Sequence, residues 1–280
     1  MLPMLKRGMK GGAVRHLQAR LKVAGFDPGR IDGAFGPATE AALMAFQQAE
    51  GLLPDGVAGP RSWAALDPEA KALAGDALGL VDVDLAAVMF PSTPLGAIRV
   101  HLPHVVAGLR EAGLVDGPMA LMALATIRAE TEGFEPVAER PSRFNTSPFG
   151  HPFDLYDRRR DLGNGGRPDG ARYRGRGFVQ LTGRANYRRA GERLGLGDAL
   201  AAEPERACEP ALAGRILAAY LAERERPIKL ALLAGDLGGA RRTVNGGGHG
   251  IGRFRDAYRL GERELRARER PASQAARSRP

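Results

Sequence analysis

The 280 residues are 44% hydrophobic, enough for one large core or two smaller ones, and the reading that follows is two domains. With 41 Lys and Arg against 32 Asp and Glu, the net charge of +9 directs the surface toward polyanions: nucleic acid, anionic wall polymers or lipid head groups. The single Cys208 excludes an intrachain disulfide. The apolar run in residues 1–10 is too short for the core of a signal peptide, and no later run reaches the length of a bilayer span. The expectation is synthesis in the cytoplasm without a signal peptide, with another component releasing the chain toward any target outside. The 38 glycines and 20 prolines, with 6% aromatic residues, predict many turns between mostly helical pieces.

Residues 5–66 contain an echo: Asp32-Gly-Ala-Phe-Gly-Pro37 returns as Asp55-Gly-Val-Ala-Gly-Pro60, each time followed by a helical pattern. A first helix is predicted over residues 13–23, with Val14, Leu17 and Leu21 on one face and a stop at Gly25. A second starts at Pro37, turns Leu43 and Phe46 inward and stops near Gly51. A third, short helix carries Trp63 and Leu66. The predicted core is Leu17, Leu21, Phe26, Ile31, Phe35, Leu43, Phe46, Val57, Trp63 and Leu66. Glu40, Glu50, Asp32 and Asp55 read as helix-surface and turn residues rather than a catalytic set. This stretch resembles the peptidoglycan-binding type 1 module almost end to end, which implies a role in holding the chain on the cell wall. The predicted organisation is a binding domain over residues 1–68, a helical connector over 69–84, a catalytic domain over 85–265 and a basic, disordered tail over 266–280.

From Leu85 the pattern is helical over residues 85–89, 97–112 and 118–131, and the last of these is apolar nearly all round, as a buried helix is. Glu130 ends that helix, Gly133 stops it and Phe134 can dry the surroundings. Partial burial disfavours a carboxylate and keeps its proton available, so Glu130 is a candidate general acid, although a solvated helix-end glutamate is the plain alternative. Inverting hydrolysis of a glycoside needs a second carboxylate about 6.5 to 9.5 Å away. Glu135, Glu139, Asp154 and Asp157 are the candidates, and Glu139 could equally form a surface ion pair with Arg140.

Residues 173–187, Tyr-Arg-Gly-Arg-Gly-Phe-Val-Gln-Leu-Thr-Gly-Arg-Ala-Asn-Tyr, read as a turn, a short strand over Phe178 to Leu181 and a helix start. Gly175 and Gly177 allow a close backbone approach, and Thr182 is expected to cap a helix over residues 184–194 that Gly195 ends. Gln180, Thr182 and Asn186 would gather at this corner, where neutral amides and hydroxyls suit sugar hydroxyls and N-acetyl groups better than phosphate. An amphipathic helix over residues 207–222 would bury Cys208 as an inert thiol beside Leu212, Ile216 and Tyr220. Residues 243–253, with five glycines, are predicted to form a close-approach loop. His101, His104, His151 and His249 come with no acidic or thiol ligand at a binding spacing, so no metal and no cofactor is expected.

Residues 173–187 closely resemble the YGRGxxQLTGxxNY segment of glycoside hydrolase family 19, which comprises chitinases and related endolysins that cleave peptidoglycan. Ala129-Glu-Thr-Glu-Gly-Phe134 resembles that family's HE(S/T)GGF motif, with Ala129 for histidine and Glu132 for the first glycine. The resemblance implies that Glu130 is the general acid, with Glu132 as rival. The shorter endolysin-type members place an acidic residue about nine positions later, which implies Glu139 as general base and Ser142 as a holder of the attacking water. Residues 155–164 resemble the family's YDGRxDLGN stretch, one wall of the cleft, whose arginines would suit the carboxylates of peptide stems. Residues 243–253 resemble its INGGxxG…R loop, which implies Asn245 on the bound sugar and Arg253 near the cleft.

The fold implied is mainly α: a small three-helix wall-binding domain followed by a lysozyme-like, mostly helical α+β domain. The function implied is an endolysin-type muramidase cutting β-1,4 bonds between amino sugars with inversion. Its partner would be bacterial peptidoglycan, with anionic envelope polymers met by the basic surface and tail. No nucleic acid, no transmembrane segment and a monomeric state are expected, since base-stacking motifs are lacking. A chitinase and an inactive wall-binding protein are the alternatives.

Overall fold

The computed structural model describes residues 4–66, 77–245 and 250–277. The chain forms two compact units, Met1–Gly79 and Leu80–Pro280. It is mostly helical, and among the described residues strand pairing is confined to isolated bridges.

In the first unit α1 (Gly12–Val23), α2 (Pro37–Ala49) and α3 (Pro60–Leu66) enclose Leu17, Leu21, Phe35, Leu43, Phe46, Trp63 and Leu66. Proline in the first turn starts α2, where a missing N–H costs nothing. The sequence echo has a physical cause. Gln18 of α1 accepts from Gly33 N at 2.8 Å and donates to Asp32 at 3.2 Å; Gln47 of α2 accepts from Gly56 N at 3.0 Å and donates to Asp55 at 2.7 Å. Each Asp-Gly turn is thus pinned by a buried glutamine on the preceding helix, and each glycine sits at positive φ. Asp32 also accepts from Ala34 N at 2.8 Å, and this bond leads the lowering of its pKa. Ile31, expected in the core, is exposed, because its Asp-Gly turn lies at the surface.

The second unit is built on α4 (Val83–Met89), α5 (Leu95–Glu111), α6 (Gly117–Glu130), α7 (Arg184–Arg193), α8 (Pro210–Ala222), α9 (Glu225–Leu233), α10 (Leu237–Asn245) and α11 (Ile251–Arg277). Helix α6 is buried on nearly every side, as its apolar sequence demands, and Asp116 caps it by accepting from Met119 N at 2.9 Å. Helix α11 packs on α6 and α4, while α5 packs on α8. The α5–α8 crossing is close enough that a Cβ on Gly108 would lie 2.5 Å from Gly214 O, and one on Gly214 would lie 2.3 Å from His104 O.

The structure corrects several expectations. Of the helical connector, residues 69–76 lie outside the described residues; Ala77–Leu80 is a 3-10 turn, and Asp82 caps α4 through Leu85 N at 2.9 Å. The strand expected over Phe178 to Leu181 is a tight turn whose ends, Arg176 and Leu181, form an antiparallel bridge; Ala138 bridges Arg176 from the other side. Gln180 has φ +50°, which no regular strand accommodates. Thr182 does not cap α7: its hydroxyl donates to Gln180 O at 2.9 Å, and Asn164, from a distant loop, accepts from Arg184 N at 2.9 Å instead. Cys208 is half-buried in a 3-10 turn, and α8 begins at Pro210.

The expected loop over residues 243–253 is helical at both ends. Thr243 to Asn245 close α10, and Ile251 opens α11 directly after Gly250, which has φ +69°. Gly250 does make the close approach foreseen for this run, since a Cβ there would lie 2.9 Å from Ala129 O. Residues 246–249 lie outside the described residues. The tail expected to be disordered from Arg266 continues α11 to Arg277, where alanine, glutamate and arginine are strong helix formers. Pairs from Glu262 to Arg266 and from Glu264 to Arg268, four residues apart, support it, and Arg268 also meets Asp82 at 2.7 Å.

Candidate active site

The bridge of Ala138 to Arg176 delivers Glu139 to the 173–187 corner. Glu139 N donates to Gly175 O at 2.7 Å, and Gly177 N donates to Val137 O at 3.0 Å. The half-buried Glu139 carboxylate accepts from Asn145 Nδ2 at 2.9 Å and Tyr156 OH at 3.0 Å on one oxygen, and from Gly175 N at 3.2 Å on the other. All three donors are neutral, so they orient the carboxylate without setting a counter-charge against it. Burial, then the charge of Glu139, pushes the Tyr156 phenol up to about 12, so Tyr156 remains a donor across the neutral range.

Gly175 marks where this group converges. A Cβ there would lie 2.8 Å from the Gln180 side-chain oxygen, 3.2 Å from the Glu139 carboxylate and 3.2 Å from the Thr182 hydroxyl. A side chain here would have to push the end of Gln180 aside, so glycine leaves the three polar groups where they converge. Gln180 is itself fixed, donating to Val137 O and Gly177 O at 3.0 Å each. Asn186 donates to Thr182 O at 2.7 Å and lines a small crevice with Leu181, Tyr220 and Glu223. Ser142 is engaged in its own turn: its hydroxyl accepts from Phe144 N at 3.3 Å, and its amide donates to Asn145 Oδ1 at 2.7 Å. Its visible effect is to hold Asn145 against Glu139.

Glu130 closes α6, where Arg241 of α10, wholly buried, donates to it at 2.7 Å. Arg241 also lies over the Phe254 ring of α11, so three helices fix the geometry of this ion pair. Phe134, three residues past the helix cap at Thr131 with an intervening left-handed Glu132, is fully buried and touches Phe90 and Phe178 edge-on. This aromatic row joins the end of α6 to the Gly175 corner. Glu132 points elsewhere, pairing with Arg128 at 2.9 Å and Arg253 at 2.8 Å in an exposed cluster. Arg253 is therefore tied to Glu132 rather than to the Gly175 corner. Asn245 is the last residue of α10, and its side chain lies outside the described residues.

The remaining carboxylates have local duties. Asp154 holds the Ser147 amide at 2.8 Å and the Ser147 hydroxyl, whose bond leads the lowering of its pKa. Asp157 accepts from Gly170 N at 2.8 Å and meets His151 at 2.9 Å. Glu135 is exposed. Sequence reasoning missed Asn145, Tyr156 and Asn164 as supports. Asn164, buried, donates to Tyr156 O at 2.8 Å while its oxygen caps α7, so the 155–164 stretch supports the corner through its tyrosine and asparagine.

Residues 10–66 match the family described as "Putative peptidoglycan binding domain". The chain is 53% identical over 64 residues to the zinc D-Ala-D-Ala carboxypeptidase of Streptomyces albus G, and 47% identical over 58 residues to the spore cortex-lytic enzyme of Bacillus cereus. Each match covers 21% of this chain; they cover 24% and 22% of the two relatives, so the chain spans about a quarter of either length. Among solved structures, chitinase C from Streptomyces griseus HUT6037 aligns over 68% of this chain and 77% of its own, at 23% identity and a TM-score of 0.47. The N-terminal unit thus carries a peptidoglycan-binding domain of a kind found in cell-wall hydrolases. No helix among the described residues is long and apolar enough to cross a membrane.

Proposed function

We propose that the chain is a peptidoglycan glycosidase of muramidase type, held on the wall by its first unit and cutting glycan strands with its second. The observation that carries this reading is the Glu139 carboxylate, oriented by three neutral donors at a corner that also presents Gln180 and Thr182. A base must keep its charge yet remain aimed, and neutral donors do both. In this mechanism Glu139 takes a proton from water, which attacks the anomeric carbon as Glu130 gives a proton to the departing glycosidic oxygen, so the configuration inverts. The buried Arg241 guanidinium offsets the negative charge left on Glu130 after transfer. Gln180 and Thr182 supply hydrogen bonds to the sugar, with Asn186, Asn245 and Arg253 farther along the strand.

Digestion of purified peptidoglycan with mass analysis of the fragments tests the proposal. New reducing ends with intact peptide stems are expected. Free amines without reducing ends would indicate amidase or peptidase chemistry and overturn it. Faster release from chitin than from peptidoglycan would assign the chain as a chitinase, and wall binding without any cleavage would leave a binding protein.

A further inference from the structure

A cavity of about 570 Å³ lies between the end of α4, the last turns of α6 and the first half of α11. It plays no part in the hydrolytic scheme above. Its volume falls in the range of built ligand pockets. Met89 and Leu260 supply an apolar lining, and Arg128, Arg253, Arg259 and Arg263 stand among the surrounding residues. Arg128 and Arg253 are bound to Glu132, but among the described residues Arg259 and Arg263 have no carboxylate partner. These two are exposed and four residues apart on α11, so two guanidinium groups stand together on one helix face. The remaining polar groups are two acids, Asp256 and Glu262.

We infer that this cavity is a subsite for the peptide stem of the glycan, with Arg259 and Arg263 taking its carboxylates. The inference rests on the peptidoglycan reading above and names what separates that substrate from chitin, which has no stem. Guanidinium forks match carboxylates, short aliphatic side chains suit the Met89 and Leu260 surface, and Asp256 can receive a side-chain amine. Arg128, on the cavity wall, lies two residues before the candidate acid Glu130 on α6, and together with Arg253 it holds Glu132, two residues after that acid. A nucleic acid would call for stacking rings, and no aromatic side chain lines the cavity.

Two measurements on the full chain decide it. The first titrates a synthetic stem tetrapeptide, with free carboxylates and one side-chain amine, into the wild type and into the double variant Arg259→Gln, Arg263→Gln, by calorimetry. The wild type should bind, the double variant about tenfold more weakly, and a variant losing two distant exposed arginines, Arg99→Gln with Arg226→Gln, as well as the wild type. The second compares KM on glycan strands with stems and on the same strands stripped of them. The double variant should lose the preference for stems and cleave stripped strands at the wild-type rate. Equal peptide affinity in wild type and double variant, or no binding to the wild type, overturns the inference. Absence of reducing ends from either substrate defeats the glycosidase reading, while the peptide titration still decides the subsite.

Discussion

Among the acidic side chains near the Gly175 corner, the partners of each separate a chemical role from a structural one. Asp154 and Asp157 hold loop amides, Glu132 is spent on Arg128 and Arg253, and Glu139 alone of these collects a phenol, an amide side chain and a backbone N–H while staying half-open to solvent. Glu130→Gln and Glu139→Gln should each lower kcat by roughly a hundred- to ten-thousand-fold, because an amide fills the space but neither gives nor takes the proton. Glu139→Gln should leave thermal unfolding nearly unchanged, whereas Glu130→Gln should lower the Tm because it removes the carboxylate paired with the buried Arg241. Glu132→Gln should stay within a few-fold of wild type, exposed ion pairs being worth little. Activity in Glu130→Gln with loss in Glu132→Gln would reassign the acid. Tyr156→Phe should cost about tenfold in kcat, with KM nearly unchanged, since it removes one hydrogen bond to a charged group and leaves two others to orient it. A wild-type rate in that variant would place the base elsewhere. Gln180 and Thr182 were legible as corner residues because the 173–187 stretch is nearly continuous, whereas Glu139 stood out from three other acids only through the spacing that the family resemblance implies. Tyr156 was not legible, since it lies seventeen residues from Glu139 and reaches it only through the Asn164 link to α7.

At the level of elements, the helices with a continuous apolar stripe were readable and those with a broken one were not. Helix α6 announced itself through an unbroken apolar run; α10 was hidden by its glycines, and its stability comes from Asp236 accepting from Gly239 N at 2.7 Å and from burial of Ala240, Arg241 and Val244. A charged residue at a core position reads as a surface residue until its partner is known, so Arg241 could not be found from spacing alone. The α5–α8 crossing gives a test of packing. Replacing Gly108 with alanine sets a methyl against Gly214 backbone atoms, which cannot swing aside as a side chain would. The variant should lose about 3 kcal/mol in urea unfolding, or rearrange the crossing, whereas Gly96→Ala in the first turn of α5, with open space at its Cβ, should not be destabilised. Equal stability of the two variants would mean that the helices sit farther apart than the structure places them.

At the scale of the whole chain, the two units carry separate optical reporters, and this makes their independence measurable. Trp63, the single tryptophan, is buried in the first unit, while all five tyrosines lie in the second. A fragment of residues 1–79 should therefore fold with the same tryptophan emission as the full chain and sediment with cell walls, and a fragment of residues 80–280 should keep its rate on soluble glycans and lose it mainly on intact walls. The pH dependence gives the sharper division. Burial raises Tyr156 and Tyr187 to about 12 and Tyr258 further still, against an ordinary phenol near 10.0. Below pH 10 both folded and unfolded chains hold these protons, so the phenols do not weaken folding there. As pH rises from 10 toward 12 the unfolded chain loses them first, it binds fewer protons than the folded one, and stability of the second unit falls through that window. A titration should show these three phenols ionising late, together with loss of helical signal from the second unit, while Trp63 emission still reports a folded first unit. Tyr258→Phe, which keeps the ring and removes the ionisable group, should move that loss to higher pH. If tryptophan emission and phenol ionisation instead change in one transition, the units unfold together and the division of the chain into two independent bodies fails.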